Sequence, residues 1–90
     1  MPLYAVICKD RDGALQTRRD TRDEHLAYLN ESGVVQTAGP FIAGGEPSGS
    51  LVIIEAADLA SAKAWSAGDP YLAAGVFDSV EVIEWRRTIG

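Results

Sequence analysis

The fold turns on Val34-Val35-Gln36-Thr37-Ala38-Gly39-Pro40-Phe41-Ile42, the connector Gly44-Gly45-Glu46-Pro47-Ser48-Gly49, and the run Ser50-Leu51-Val52-Ile53-Ile54-Glu55-Ala56. The outer runs have the apolar, β-branched chemistry of strands. The glycine-, proline- and serine-rich piece between them has the character of a hairpin connector, so the two strands are expected to pair antiparallel. Gly39-Pro40 demands a bulge, a bend or an edge position, because proline has no N–H to give to a ladder. The first strand of the pair is therefore expected at a sheet edge.

Reading outward from this hairpin gives the other elements. Upstream, Thr21-Arg22-Asp23-Glu24 fits a capping box, and His25, Leu26 and Leu29 recur at helical spacing until Gly33, which places a helix over about 21–32. Before it, Leu3-Tyr4-Ala5-Val6-Ile7-Cys8 is an apolar run of strand length that ends at the charged Lys9-Asp10-Arg11-Asp12-Gly13. Downstream, Asp58 can cap a second helix over 59–67, with Leu59, Ala62 and Trp65 on one face and Gly68 as its stop. Val76 to Trp85 reads as a final strand, and 86–90 as a short tail. No internal repeat is present, and residues 1–90 read as a single domain.

The order strand, helix, strand, strand, helix, strand predicts an α+β, ferredoxin-like chain with an antiparallel four-stranded sheet. Right-handed crossovers put both helices on one sheet face. The first and third strands are expected side by side at the centre and parallel to each other. In both of them the two side-chain parities are apolar: Leu3, Ala5, Ile7 against Tyr4, Val6, Cys8, and Leu51, Ile53 against Val52, Ile54. A sheet with one wet face alternates instead. The face away from the helices must then also be covered, and a second copy of the same sheet, giving a homodimer, is the economical cover.

Composition narrows the partners. Hydrophobic residues are 47% and charged ones 23%, which is ordinary for a folded globular chain. The net charge of -5 argues against a nucleic-acid partner, and no apolar run is long enough to span a bilayer. Arg18, Arg19 and Arg22 form the one basic cluster and are outweighed by Asp20, Asp23 and Glu24. The lone Cys8 allows no internal disulfide, and the N-terminus lacks the pattern of a signal peptide, so the cytoplasm is the expected compartment.

Gly68-Asp69-Pro70-Tyr71-Leu72-Ala73-Ala74-Gly75 is unusually specified for a connector. Asp as N-cap, Pro at the first helical position and Gly at the close describe one capped helical turn. The same carboxylate can serve a site, since one oxygen of Asp69 can cap the turn while the other receives an imidazole N–H. His25, the only histidine, is the candidate partner. Placed in the first turn of its helix, however, it is expected at the opposite end of the helical layer from Asp69, and a histidine on a helix is often only a satisfied side chain.

Nearly the whole chain resembles the YciI-like (YCII-related) family. The resemblance rests on Arg22-x-x-His25-Leu26, Thr37-Ala38-Gly39-Pro40, Gly49-Ser50, Trp65 and Asp69-Pro70-Tyr71-x-x-Ala74-Gly75-Val76. It implies a ferredoxin-like subunit, a dimeric α/β barrel, and His25 with Asp69 as an active pair. Arg22, Gly39, Pro40, Ser50 and Tyr71 would be substrate-binding neighbours. One branch of the family is linked to dehydrochlorination of a chlorinated aromatic, and muconolactone isomerases share the barrel architecture.

A carboxylate that fixes one imidazole nitrogen leaves the other able to take and return a proton near neutral pH. The expected chemistry is general acid–base work without a nucleophile: elimination or isomerisation of a small acidic or aromatic substrate. A dimeric module that binds a metabolite without turnover is the alternative. Cys8 sits inside an apolar strand, unsuited to nucleophilic attack. One His and one Cys do not make a zinc set, although His25 and Asp69 could hold an adventitious metal. No glycine motif cradles phosphate, so neither metal nor cofactor is expected. Arg22 either holds an anionic substrate or pairs with Asp23 on the surface. Trp65 and Trp85 read as core and interface anchors.

Overall fold

A computed structural model describes residues 1–90, with elements in the expected order: β1 (Leu3–Asp10), α1 (Leu15–Ser32), β2 (Val35–Ala43), β3 (Glu46–Glu55), α2 (Leu59–Ala67), α3 (Pro70–Ala73) and β4 (Phe77–Trp85). The strands form one sheet in the order β2-β3-β1-β4, with β2 at an edge as its Gly39-Pro40 requires. Irregularities in the β2–β3 register fall between Val35 and Thr37 and between Phe41 and Ile42, on either side of Gly39-Pro40. The chain has the ferredoxin-like β-α-β-β-α-β arrangement.

The central pair corrects one expectation. β1 and β3 run antiparallel, pairing Leu3 with Glu55 and Cys8 with Ser50. The crossover through α1 returns β2 parallel to β1, and the hairpin then reverses the chain, so β3 must oppose β1. Because α1 follows β1 and α2 follows β3, the helices also oppose each other. The end of α2 thus lies beside α1 at His25 and Tyr28, which removes the expected separation of His25 from Asp69.

The hairpin is tighter than the six-residue connector suggests. Only Gly44 (φ 59°) and Gly45 (φ 79°) make the turn, and the strand resumes at Glu46. Two positive φ values in a two-residue loop match the right-handed twist of the flanking strands. Gly49, now within β3, is required for a different reason: a Cβ there would run into the backbone carbonyl oxygen of Cys8.

α1 begins at Leu15, six residues before the capping-box pattern at Thr21, so that pattern lies inside the helix. Ala14 occupies the N-cap without a side-chain bond, and Gly33 (φ 72°) closes the other end in the left-handed conformation. The residues that α1 buries are Arg18, His25 and Leu29. Its inward face is polar in the first turns and apolar only later, which hides the true start from a search for apolar periodicity. His25 accordingly sits in the middle of the helix, not in its first turn.

One sheet face packs the helices. Tyr4, Val6 and Cys8 of β1 meet Val52 and Ile54 of β3, Leu29 of α1 and Ala62 of α2, and Ile54 is fully enclosed. Burying side chains of this size contributes on the order of 1.5–3 kcal/mol each. The opposite face carries Leu3, Ala5 and Ile7 in register with Ile53 and Leu51 on one side and with Trp85 and Ile83 on the other. Here Leu51, Ile83 and Trp85 are each more than a third exposed. No helix of the chain is long and apolar enough to cross a membrane.

Candidate active site

Three elements bring the site together. α2 is capped by Asp58, whose side chain accepts from Ser61 N–H at 2.8 Å, and Gly68 ends it with an ordinary negative φ of -88°. A Cβ at 68 would displace the Tyr28 hydroxyl, which donates to the Trp65 carbonyl at 2.7 Å. The chain then enters α3, with Asp69 at the N-cap and Pro70 behind it. Arg11 donates to the Gly75 carbonyl, and its backbone N–H to Val76 at 2.9 Å, so the loop after β1 holds the far end of α3.

Asp69 is 3% exposed, and its Oδ1 receives both the Tyr71 backbone N–H (2.9 Å) and His25 Nδ1 (2.8 Å). Capping and site roles therefore coexist, but on one oxygen and not on two. Because this oxygen accepts from both neighbours, the proton of a neutral His25 belongs on Nδ1. Nε2 then carries the lone pair. It has no protein hydrogen-bond partner, and His25 lines a cavity of about 270 Å3. The only fully sealed, unpartnered side-chain nitrogen or oxygen is Trp65 Nε1, so Nε2 retains accessible surface.

The Tyr71 ring stacks flat on His25, centroids 3.8 Å apart and planes 10° from parallel. Arg18 lies 4.7 Å from the same ring centroid. Its guanidinium is forked onto Asp10 (2.7 and 2.9 Å) and also donates to Ser50 Oγ at 2.9 Å. Burial opposes the Arg18 charge, yet the hydrogen bond and attraction to Asp10 outweigh it and leave its pKa raised. The Tyr71 phenol is pushed up by burial, while Arg18 and Arg22 pull it the other way.

The cavity is lined by the arginines at 18, 19 and 22, by Leu26 and by Tyr71, and on the strand side by Ala38, Gly39, Pro40, Pro47, Ser50 and Val52. All five residues expected around the pair, Arg22, Gly39, Pro40, Ser50 and Tyr71, are thus at its wall. Arg22 makes no ion pair with Asp23. Cys8 is poorly suited to act as a nucleophile: it is buried in β1, and burial first, then the Asp69 charge, push its thiol up to about 12.

Sequence reasoning places Arg18 only in the basic cluster with Arg19 and Arg22, read as a solvated helix start, and gives Asp10 no role, whereas Arg18 is buried on Asp10. A usable signal exists for both. Arg18 stands seven residues before His25 and so shares its helix face, and Asp10 shares the parity of Cys8, which pairs directly with Ser50.

With this geometry in place, comparison with known proteins places the chain. A model of the YCII-related domain matches residues 2–86. The chain belongs to the YCII-related family. Protein YciI of Escherichia coli is 37% identical over 95 residues, covering 94% of this chain and 97% of the relative. An uncharacterized protein of Haemophilus influenzae is 35% identical, covering 93% and 96%. Among solved structures, a 5-chloro-2-hydroxyhydroquinone dehydrochlorinase from Burkholderia phenoliruptrix, in complex with 2,5-dihydroxybenzoquinone, superposes with a TM-score of 0.87 at 33% identity, covering 93% of each chain. An antibiotic biosynthesis monooxygenase at 12% identity and TM-score 0.61, covering 99% of this chain and 100% of its own, shares the fold alone.

Proposed function

We propose that this chain is a small-molecule enzyme of the general acid–base type, with His25 as the proton-transferring group and Asp69 as the residue that orients it. The single observation behind this reading is the buried 2.8 Å contact between His25 Nδ1 and Asp69, which leaves Nε2 without a partner at the cavity wall. Membership of the YCII-related family and the similarity to a dehydrochlorinase support it. In an elimination, Nε2 takes a proton from the substrate, the freed electron pair becomes the new double bond, and the leaving group departs with its bonding pair. In an isomerisation the imidazolium returns the proton at another atom. Tyr71 keeps the imidazole flat against a fixed ring, and Ser50, Gly39, Pro40 and Arg22 border the substrate.

The functional unit in this proposal is a homodimer formed through the outer sheet face. Leu51 of β3 and Ile83 and Trp85 of β4 are exposed on that face, on either side of Leu3, Ala5 and Ile7 of β1. Light scattering checks this directly, and a monomer at micromolar concentration would remove the dimer from the proposal.

The test of function is a screen of halogenated phenols, acidic enols and lactones, including 2,5-dihydroxybenzoquinone as a candidate product, for turnover and for ligand-induced rise in melting temperature. Turnover lost in His25→Ala with the fold intact supports the enzyme. Ligand binding with no turnover in the native chain would make it a binding module instead.

A further inference from the structure

The cavity is positively charged in an acidic protein. The chain has 13 acidic and 8 basic residues, yet three of those basic residues, together with His25, line this one cavity and no Asp or Glu does. The three arginines are not equivalent. Only two ion pairs exist, Arg18–Asp10 and His25–Asp69, so Arg18 is neutralised within the protein while Arg19 and Arg22 are not. We infer that the ligand of this cavity is a small oxyanion on a flat, largely apolar frame, and that Arg22 and Arg19, not Arg18, recognise its charge. The inference rests on the reading of the cavity as a ligand site.

Three further features agree. Ser50 is 4% exposed and its Oγ already accepts from Arg18, so its O–H is free to donate to an oxyanion at the wall. Leu26, Pro40, Pro47 and Val52 offer a carbon frame dry contact. The volume of about 270 Å3 accommodates one ring with its substituents. Arg18 stays with Asp10, because moving it to a ligand would leave the Asp10 carboxylate, only 8% exposed, without its cation.

Benzoate and its uncharged isostere benzamide separate charge from shape. Titration of the native protein, followed by backbone amide shifts and calorimetry, is expected to show benzoate tighter than benzamide by at least about tenfold, with only benzoate weakened by salt. Arg22→Gln is expected to remove most of that preference and Arg19→Gln a smaller part, with benzamide binding unchanged in both. Equal affinity for the two probes, an unchanged preference in the double variant, or no shifts around Arg22 and Tyr71 at about 50 mM benzoate, beyond any useful affinity, would overturn the inference. His25→Ala separates it from the enzyme reading. That variant should lose turnover and keep the preference for benzoate; charge selection with turnover retained in His25→Ala, or absent from the native chain, sinks the catalytic role alone, and native turnover without charge selection sinks only this inference.

Discussion

Two carboxylates hold two nitrogen-bearing side chains of α1, and they do so in opposite ways. Asp10 receives both arms of the Arg18 fork, a permanently charged pair with both oxygens engaged. Asp69 gives one oxygen to His25 and to the Tyr71 backbone N–H, and its other oxygen receives neither. The first pair is closed: an arginine cannot release a proton, so the contact can only position. The second leaves a nitrogen lone pair open to the cavity, on a ring that can take up a proton there and give it back. The same helix face thus carries a fixed anchor, and two turns further on, a group able to do chemistry.

The largest expected effect falls on the open pair. His25→Ala should reduce turnover of whatever substrate is identified by about 10²–10⁴-fold, the range for a positioned acid–base group. Its thermal stability should change far less. Comparable turnover in the variant and the native chain, measured on a substrate found by the screen, would remove the distinction between the two pairs.

The closed pair should respond in the reverse manner. Asp10→Ala leaves the Arg18 guanidinium, 7% exposed, without its carboxylate, a situation that costs about 3–5 kcal/mol when a buried pair is broken from one side. Chemical denaturation reads this directly. A loss below about 1 kcal/mol would class Asp10–Arg18 with weak surface pairs. Asp69→Asn is the intermediate case. The amide oxygen can still cap α3 and accept from Nδ1, so stability should fall by less than the roughly 1 kcal/mol that losing the cap would cost. Turnover should fall more, because the imidazolium that forms in the reaction loses its counter-charge. Retained turnover in Asp69→Asn together with its loss in His25→Ala would leave His25 acting without Asp69.

How much of this was legible depends on whether a residue's reason lies nearby in the chain. The apolar runs of β1 and β3, the Asp58 cap and the Asp69-Pro70 turn follow from neighbours within a few residues, and each appears where the sequence put it. The start of α1 was hidden because the inward residue of its first turns is Arg18, whose partners Asp10 and Ser50 lie on two strands and not on the helix. Thr21 and Glu24 supplied a local signal that the longer-range pair overrode. The meeting of His25 with Asp69 was lost through strand direction: with β1 and β3 taken as parallel, the helix ends fall apart, and with them antiparallel they come together. That the two residues belong together came from the family resemblance and not from pattern.

The smallest effect concerns the sulfur that lies behind the open pair. Cys8 is 2% exposed, and burial, followed by the Asp69 charge, raises its thiol from 9.0 to about 12. In the unfolded chain the thiol ionises near its ordinary value, whereas the folded chain holds the proton until much higher pH. Between about pH 9 and 12 the folded state therefore binds more protons than the unfolded one, and stability falls as pH rises through that window. Below it both states are protonated and the contribution is constant. Tyr28 and Tyr71, each raised from 10.0 mainly by burial, act in the same sense at the upper end. The denaturation midpoint should thus decline above pH 9 more steeply in the native chain than in Cys8→Ala, and thiol reagents at pH 8 should label Cys8 only as fast as the protein unfolds. Rapid labelling of the folded chain would place an accessible thiolate beside Asp69 and return Cys8 to the chemistry of the site.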